Sequence, residues 1–243
     1  MYEFIKPANW HNLPLYSKVK LYGQILNKDF SPFVDKLEAK NIVTKLCPEL
    51  KVAKVIRELK WSSDFTQSDI NSDYLLKASH GSGWMIDLAE IKDIDRIKKI
   101  LITWNQTYSK TEQQYIYLRP RFFIEEKITC KYNGKTGKAH DIKVHCIHGE
   151  PYFLLIRKDQ CLRNYYDTDW NPIMPLQFEF SKPDNLDSIL NICRLLSKPF
   201  EYVRLDFYFG IDGIYFSEFT FTPHGGKQRL SDAVENKFGK MWT

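Results

Sequence analysis

The clearest pattern in the chain is an alternation of apolar and polar positions near its C-terminal end. Arg204 and Asp206 lie on one face of a predicted β-strand, because the neighbouring positions on the other face are apolar. Residues 211–213, Ile-Asp-Gly, predict a three-residue loop in which the glycine takes the positive φ. The segment is therefore predicted to be a β-hairpin, and its apolar face comprises Val203, Leu205, Phe207 and Phe209.

The register of this hairpin determines which polar side chains face each other. A three-residue loop pairs residue 210 with residue 214, which places Asp206 opposite Glu218. Arg204 then falls opposite Thr220. Two carboxylates directly opposite each other repel, and a divalent cation would remove that cost because hard cations bind carboxylate oxygens. Two unrelated acids on a solvated sheet face are the alternative interpretation.

The remaining pattern mixes helices with antiparallel strands. Helical spacing predicts helices over residues 35–46, 93–107 and 184–197. Strands are predicted over residues 73–79, 84–86 and 121–130, and a hairpin over residues 141–158 that turns near residue 149. Residues 131–138 and 163–175 are predicted to be loops. This order of elements indicates an α+β architecture.

Length, charge and cysteine content limit the class of protein. The 243 residues suffice for one large domain or two closely packed subdomains. The net charge of +5, with both signs mixed throughout, favours a phosphorylated ligand and no nucleic-acid partner. The five cysteines lack C-x-x-C spacing and indicate reduced thiols. Because no apolar run approaches the roughly 20 residues of a membrane span, and no signal peptide is evident, we expect a cytoplasmic protein without a transmembrane segment.

A lysine followed by a glycine-rich loop lies early in the chain. Lys77 ends a predicted strand, and the loop is formed by His80, Gly81, Ser82 and Gly83. Such a loop lets backbone N–H groups approach phosphate oxygens, and a nearby lysine adds positive charge. The sequence matches neither the P-loop nor the G-x-G-x-x-G fingerprint. An ordinary turn is the alternative interpretation.

Two other segments combine charged side chains with predicted strands. Glu125 and Glu126 end an apolar strand, either as solvated acids or at a polar exit from a cleft. Asp141 and Lys143 share one face of the next hairpin, which predicts a surface ion pair. No nucleophile–base set stands out, and the histidines show no H-E-x-x-H spacing.

In this order the features resemble the ATP-grasp superfamily, and more narrowly the TupA-like ATP-grasp family, named for a teichuronopeptide biosynthesis protein. The likeness runs from about residue 31 to residue 226. It rests on the blocks LLKASHGSGWMI, FFIEEKI, DIKVHCIHGEPYFLLIRKD, RNYYDTDWNP, and VRLDFY followed by FSEFTFTPHGG. The resemblance implies an α+β, ATP-grasp fold in which two α+β subdomains clasp a nucleotide between antiparallel sheets.

The resemblance also implies a division of the chain. Residues 1–34 would be a short lead-in, and residues 35–243 the catalytic domain. Within that domain, residues 35–120 would form the N-terminal nucleotide subdomain and residues 121–243 the C-terminal subdomain. The segment before Lys36 is short compared with many ATP-grasp ligases. The presence of the usual preceding substrate domain is therefore in doubt.

By the same likeness, each matching residue would have a role. The cofactors would be ATP and Mg²⁺. The phosphates would contact Lys36 and Lys77, covered by the loop of His80, Gly81, Ser82 and Gly83. The adenine and hinge position would be lined by Glu125, Glu126, Lys127 and Ile128, with Asp141 near the ribose or cleft. The metal would be bound by Asp206 and Glu218, while Thr220 replaces the asparagine common in the family. The catalytic candidates are Lys143, at the transferring phosphoryl group, and Arg204.

The loop over residues 163–175 is assigned to the acceptor substrate. Its length and its polar and aromatic composition suit recognition of a sugar or a carboxylate, and Arg163 and Tyr166 are the candidate contacts. A packed structural loop is the alternative interpretation.

The expected activity is that of an ATP- and Mg²⁺-dependent carboxylate–amine ligase acting through an acyl phosphate. The acceptor would carry a carboxylate, and the resemblance points to synthesis of a cell-surface glycan or peptide polymer. A kinase for a hydroxyl of a glycan or polyol is one alternative, and a nucleotide-binding module without turnover is another. The absence of a nucleophile fits phosphoryl transfer, which depends on positioning and charge stabilisation.

Overall fold

A computed structural model describes residues 4–108, 112–132, 135–158, 162–227 and 230–243. Its α-helices are α1 (Leu15–Tyr22), α2 (Ser31–Val34), α3 (Lys36–Leu46), α4 (Ile94–Trp104), α5 (Leu186–Ser197) and α6 (Asp232–Met241). Its β-strands are β1 (Lys51–Val52), β2 (Val55–Leu59), β3 (Tyr74–Ala78), β4 (Met85–Asp87), β5 (Phe122–Glu126), β6 (Thr129–Tyr132), β7 (Lys135–Lys138), β8 (His140–Ile147), β9 (Glu150–Lys158), β10 (Leu162–Asp167), β11 (Tyr202–Gly210) and β12 (Gly213–Thr220).

Within these residues the strands form two main sheets. The larger sheet has the order β1-β12-β11-β8-β9-β10, and all its pairs are antiparallel except the parallel pair β1–β12. The smaller sheet has the order β2-β5-β3-β4 and is antiparallel throughout. A short hairpin, β6–β7, lies outside both. Mixed helices and antiparallel sheets confirm the α+β class.

Each sheet has its own hydrophobic core. α5 packs on β8, β9 and β11, so Ile142 and Val144 of β8 are buried on this side of the larger sheet. α4 covers the smaller sheet, against which it buries Ile97 and Leu101. The helical spacing of residues 93–107 predicted this burial, since both side chains fall on its apolar stripe.

The opposite face of the larger sheet is partly covered by the two ends of the chain. α1 packs against α6, and Trp10 contacts Trp242 with a ring-centroid distance of 5.2 Å. Phe238 of α6 stacks on Phe153 of β9 at 4.2 Å. The predicted lead-in therefore contributes side chains to the main core, from Trp10 to Val34.

The sheets also divide the chain differently from the expected boundary at residue 120. β5 pairs with β2 and β3, so it belongs to the smaller sheet. Conversely, β1 crosses over to pair with β12 of the larger sheet. These are long-range pairings, which local sequence patterns do not encode.

Two segments predicted as loops contain strands. Residues 131–132 and 135–138 of one predicted loop belong to the paired strands β6 and β7, and the predicted strand over residues 121–130 is divided between β5 and β6. The predicted loop after residue 162 begins with β10, which pairs with β9 along six residues. Edge strands such as β10 carry irregular polar patterns because only one side is hydrogen-bonded.

The terminal hairpin reaches the predicted pairing by a different route. Gly210 pairs with Gly213, so the turn has two residues and not three. A β-bulge between Asp206 and Phe207 then shifts the register by one residue. Asp206 consequently does face Glu218, as predicted, although the expected loop geometry was wrong.

The turn after β12 packs tightly against α1. Gly225 and Gly226 both have positive φ, at 64° and 71°. A Cβ added to Gly226 would lie 2.9 Å from Cα of Lys20, whereas a Cβ on Gly225 would meet nothing within 4 Å. The close approach of two backbones therefore requires glycine at residue 226.

This difference allows a matched test of packing. Both Gly225→Ala and Gly226→Ala should cost about 1–2 kcal/mol through the left-handed backbone. Gly226→Ala should lose about 1–3 kcal/mol more, because its methyl group overlaps the α1 backbone. Urea unfolding of both variants gives the comparison. Equal destabilisation would show that the turn does not hold α1 at this distance.

Candidate active site

A cavity of about 650 Å³ is lined by residues of both sheets. Its charged lining is predominantly basic. The basic side chains are Lys36, Lys40, Lys77, Lys143, Arg157, Arg163, Arg204 and Lys227. The acidic side chains are Glu112, Glu125, Asp141 and Glu218. This excess of cations favours an anionic ligand.

Three lysines line the end of the cavity formed by α3 and the smaller sheet, and two of them pair with one buried carboxylate. Lys77 Nζ lies 2.5 Å from Glu125 Oε1, and Lys40 Nζ lies 2.7 Å from Glu125 Oε2. Lys36 lies one helical turn before Lys40, on the same face of α3. We call Lys36, Lys40 and Lys77 the lysine cluster.

The helix start that positions this cluster was predicted. The carboxylate of Asp35 accepts the backbone N–H groups of Leu37 and Glu38 at 2.9 and 3.1 Å, as a helix N-cap does. The same carboxylate also accepts the hydroxyl of Ser79, at the end of β3. α3 is thus fixed against the strand that carries Lys77.

Burial and mutual repulsion act on the charges of the lysine cluster. Burial lowers the pKa of Lys36 and of Lys40, and in each case nearby acids oppose this while Lys77 adds to it. Burial also opposes the charge on Lys77, but Glu125, Tyr208 and Glu218 together outweigh it and raise the pKa of Lys77. The three lysines carry more positive charge than the one closely paired carboxylate can balance. A bound polyanion would therefore stabilise their charged forms.

The glycine-rich loop contributes only part of its predicted contacts. Ser82 and Gly83 line the cavity, and Lys36 Nζ donates to the carbonyl of Gly81. Gly81 and His80 are not among the lining residues. The loop is therefore positioned over the lysine cluster by its backbone.

His80 has a structural role in place of the predicted ligand contact. Its Nε2 donates to the carbonyl of Trp104 at 2.8 Å, and its Nδ1 accepts the backbone N–H of Arg121 at 3.2 Å. This pattern requires the neutral ring, in agreement with a pKa lowered by burial. His80 joins α4 to the strand region before β5.

The predicted hinge segment reaches the cavity only through Glu125. Glu126, Lys127 and Ile128 are not among the lining residues. Glu126 accepts the backbone N–H of Lys54 at 3.1 Å and donates its own N–H to the Lys54 carbonyl at 3.0 Å. Lys127 Nζ binds Asp87 at 2.6 Å. These side chains hold strands of the smaller sheet together.

On the larger sheet, Asp206 is held between two cations. Arg204 donates from Nε and Nη2 to the two carboxylate oxygens at 2.6 and 2.7 Å, and Lys143 forms a second ion pair. Burial opposes ionisation, but Arg204 and then Lys143 lower the pKa of Asp206 to about 2. Asp206, which the sequence predicted opposite another acid, thus has two cationic partners of its own. We call Asp206, Arg204 and Lys143 the Asp206 triad.

The register of β8 also replaces the predicted ion pair between Asp141 and Lys143. Lys143 lies directly opposite Asp206 of β11, and Asp141 lies directly opposite Arg157 of β9. Each charge pairs across the sheet, because directly opposite side chains are closer than those two positions apart on one strand. Asp141 accordingly forms an ion pair with Arg157.

Glu218 is the acid of the larger sheet most available to a cation. It lines the cavity, and its Oε1 accepts the hydroxyl of Thr220 at 3.4 Å. Thr220 Oγ1 in turn accepts from Arg204 Nη2 at 3.2 Å. In the part of the chain that the structure describes, no group of three or more His, Cys, Asp or Glu side chains forms a metal site.

The two acceptor candidates lie in different places. Arg163 lines the cavity, whereas Tyr166 does not. Tyr166 is buried, stacks on Trp170 at 4.2 Å, and its hydroxyl accepts from Asn164 at 3.2 Å. An odd spacing on a strand sends these side chains to opposite faces, so the structural interpretation applies to Tyr166.

Several lining residues have no counterpart among the predicted site residues. Lys40 could have been recognised because it follows Lys36 by four residues on a predicted helix. Glu112 carries no such signal; burial raises its pKa, Thr222 opposes this and Glu218 adds to it. The others come together only through folding, and include Tyr115, Arg157, Tyr208, His224 and Lys227.

The site is thus a predominantly basic cavity lined by residues of two sheets that each pack against helices. The family model for TupA-like ATP-grasp proteins matches residues 16–242, so the chain belongs to the TupA-like ATP-grasp family. No curated protein matches the sequence. Among the described residues, the helices are too short or too polar to cross a bilayer.

Solved structures support the same fold. N5-carboxyaminoimidazole ribonucleotide synthetase in its ADP complex matches with a TM-score of 0.54 and 14% identity, over 84% of this chain and 49% of its own. D-Alanine–D-alanine ligase from Bacillus anthracis, complexed with ATP, matches with a TM-score of 0.51 and 13% identity, over 86% and 63%. Biotin carboxylase from Campylobacter jejuni matches with a TM-score of 0.52 and 14% identity, over 86% and 44%. The chain thus spans about half to two thirds of these proteins.

The two hairpin acids should differ in their contribution to stability. Asp206→Asn should lower the free energy of unfolding by about 3 kcal/mol, since two buried cations lose their counter-charge. Glu218→Gln should change it by less than about 0.5 kcal/mol, because that side chain is only partly buried. Urea unfolding at pH 7 measures both.

The pH dependence provides the control. The folded pKa of Asp206, about 2, lies below its ordinary value of 3.8. Its ionised form therefore stabilises the protein fully above pH 3.8 and loses this effect as the pH falls towards 2. The difference in free energy of unfolding between wild type and Asp206→Asn should therefore become smaller as the pH falls from 3.8 towards 2. A difference that stays constant over this range would contradict an ionised Asp206 in the triad.

Proposed function

We propose that this protein is an ATP- and Mg²⁺-dependent carboxylate–amine ligase that acts through an acyl phosphate. The observation that carries the proposal is the lysine cluster, in which two cations pair with one buried carboxylate and a third lies one helical turn away, inside a cavity lined by both sheets. Family membership supplies the nucleotide and the reaction class. By the same family likeness, we place the reaction in synthesis of a cell-surface glycan or peptide polymer.

The lysine cluster is proposed to bind the nucleotide phosphates. Lys77 keeps its charge through Glu125, and Lys36 and Lys40 regain theirs when phosphate oxygens approach. Ser82 and Gly83 also line the cavity, next to Gly81, whose carbonyl accepts from Lys36. ATP would supply the phosphoryl group that activates the acceptor carboxylate.

The Mg²⁺ site is proposed at Glu218 and Asp206. Mg²⁺ in such enzymes needs only one or two carboxylates, because phosphates and waters complete its shell. Glu218 meets this requirement directly. Asp206 already accepts from Arg204 and Lys143, so at most one of its roughly four lone-pair sites remains. The donor set fits with Glu218 as the principal ligand, and Mg²⁺ would neutralise phosphate charge there.

The Asp206 triad is proposed to stabilise the charge that develops during transfer. Asp206 holds Arg204 and Lys143 in fixed positions, and both cations line the cavity. Such pre-oriented charges need no rearrangement when the phosphoryl group moves. The protein contributes positioning and charge, which accounts for a site built from cations and acids without a covalent nucleophile.

A cytoplasmic location is part of the proposal. Cys47, Cys146 and Cys193 are free and buried, which is typical of proteins in a reducing compartment that also supplies ATP.

Nucleotide binding can be tested at Lys77. A non-hydrolysable ATP analogue with Mg²⁺ should raise the melting temperature, since 100-fold excess over Kd stabilises by about 2.7 kcal/mol. Lys77→Met should raise the Kd for the analogue about tenfold or more, because one charge-assisted contact to phosphate is lost. Lys99→Met, on the exposed face of α4, is the matched control. Isothermal titration gives Kd for each, and unchanged affinity in Lys77→Met would remove the assignment.

Turnover can be tested at Glu218. Wild type, screened against carboxylates paired with amines, should release inorganic phosphate and join the two substrates. Glu218→Gln should lose at least about 100-fold in rate while its melting temperature stays near that of wild type. Glu58→Gln, an exposed acid of β2, should retain the wild-type rate.

Product analysis distinguishes the reaction classes. Phosphate left on the acceptor would identify a kinase, and nucleotide binding without any turnover would identify a binding module. Full activity of Glu218→Gln would overturn the proposed metal site.

A further inference from the structure

A second group of cations lies at the other end of the cavity, on β9 and β10. Arg157 and Arg163 are directly opposite each other in the antiparallel pair, and both line the cavity. Like charges in this position destabilise a sheet. We call these two residues the arginine pair. An anion between the two guanidinium groups would convert their repulsion into binding.

Only one charge of the arginine pair is balanced within the protein. Arg157 Nη2 forms an ion pair with Asp141, but Arg157 Nε is buried without a hydrogen-bond partner. Among the described residues, no carboxylate forms an ion pair with Arg163. Lys227 adds a further positive charge to the lining of the cavity. This end of the cavity therefore retains donors that its own acids do not satisfy.

The arginine pair is electrostatically distinct from the lysine cluster. The pKa of His224 is lowered by partial burial and then by four cations, namely Arg204, Arg163, Lys143 and Arg157. These four side chains therefore act on the same residue of the cavity lining. The charges acting on the lysine cluster are instead Glu125, Glu218 and the lysines themselves. A nucleotide at the lysine cluster would therefore leave the arginine pair available.

The geometry points to a second oxyanion on the acceptor, and rests on the proposed ligase function. We propose that the arginine pair binds a carboxylate or phosphate of the acceptor that is not the reacting carboxylate. The reacting carboxylate belongs near Lys143 and Arg204, beside the transferring phosphoryl group. Guanidinium forks match planar and tetrahedral oxyanions with two parallel hydrogen bonds, which lysine cannot provide. The acceptor class is thus a molecule with at least two anionic groups.

Binding of small probes tests this inference without knowledge of the natural acceptor. Glutarate carries two carboxylates, 3-phosphoglycerate carries a carboxylate and a phosphate, and butyrate carries one carboxylate. Each is titrated into the protein with and without a saturating non-hydrolysable ATP analogue and Mg²⁺. Glutarate or 3-phosphoglycerate should bind at least about tenfold more tightly than butyrate, as one added charge-assisted contact predicts. Tighter binding of glutarate would identify the second anionic group of the acceptor as a carboxylate, and tighter binding of 3-phosphoglycerate would identify it as a phosphate.

Variants locate the site. Arg163→Gln should abolish the advantage of the dianion over butyrate while the affinity for the ATP analogue is unchanged. Arg163→Lys, which keeps the charge but loses the fork, should recover only part of the advantage. Arg96→Gln removes the same charge from the exposed face of α4 and should behave as wild type.

The outcomes separate this inference from the proposed function. Equal affinity of wild type for butyrate and both dianions overturns it, even when the ATP analogue binds. An undiminished dianion advantage in Arg163→Gln also overturns it, since binding then occurs elsewhere. Failure of the ATP analogue to bind counts against the proposed ligase alone, because titrations without analogue still measure the arginine pair.

Discussion

The buried ion contacts of Asp206 are the constraint on which the functional face of the larger sheet depends. Asp206 on β11 binds Arg204 of the same strand and Lys143 of β8, and Arg204 extends the contact to Thr220 of β12. Three strands are thereby joined by charged groups on one face, while the other face is apolar. A slip of one residue would place these charges in the hydrophobic core, so the register is strongly specified. The same contacts aim two cations into the cavity.

A single bulge makes this arrangement possible, and it shows what the sequence could and could not predict. Alternation along β11 correctly predicted which residues share a face, because it depends only on local geometry. The partner of Asp206 was also predicted correctly, but from a three-residue loop that does not form. The two-residue turn and the bulge after Asp206 compensate each other. Bulges have no strong sequence signal, since they depend on what the strand packs against.

The candidate site was predictable where one element supplies the signal and unpredictable where two elements meet. Lys36, Lys77 and Glu218 were found through a helix cap, a glycine-rich loop and a hairpin, and all three line the cavity. The contact of Lys40 with Glu125 joins α3 to β5, across 85 residues of sequence, and no local pattern encodes it. Residues assigned by position in a motif alone, such as His80 and Lys127, instead hold neighbouring elements together.

The distribution of cations gives the cavity two chemically different ends. The lysine cluster belongs to α3 and the smaller sheet, and its charges are compact and strongly affected by burial. The arginine pair belongs to the larger sheet, and guanidinium groups keep their charge in any environment. Phosphate oxygens near Lys36 and Lys40 would raise the pKa values that burial has lowered, so anion binding and protonation at this end reinforce each other. At the arginine end, binding depends on a constant positive charge and on fork geometry. Because Glu218 of β12 acts on Lys36 of α3, a ligand at the lysine end also alters the electrostatic balance between the two sheets.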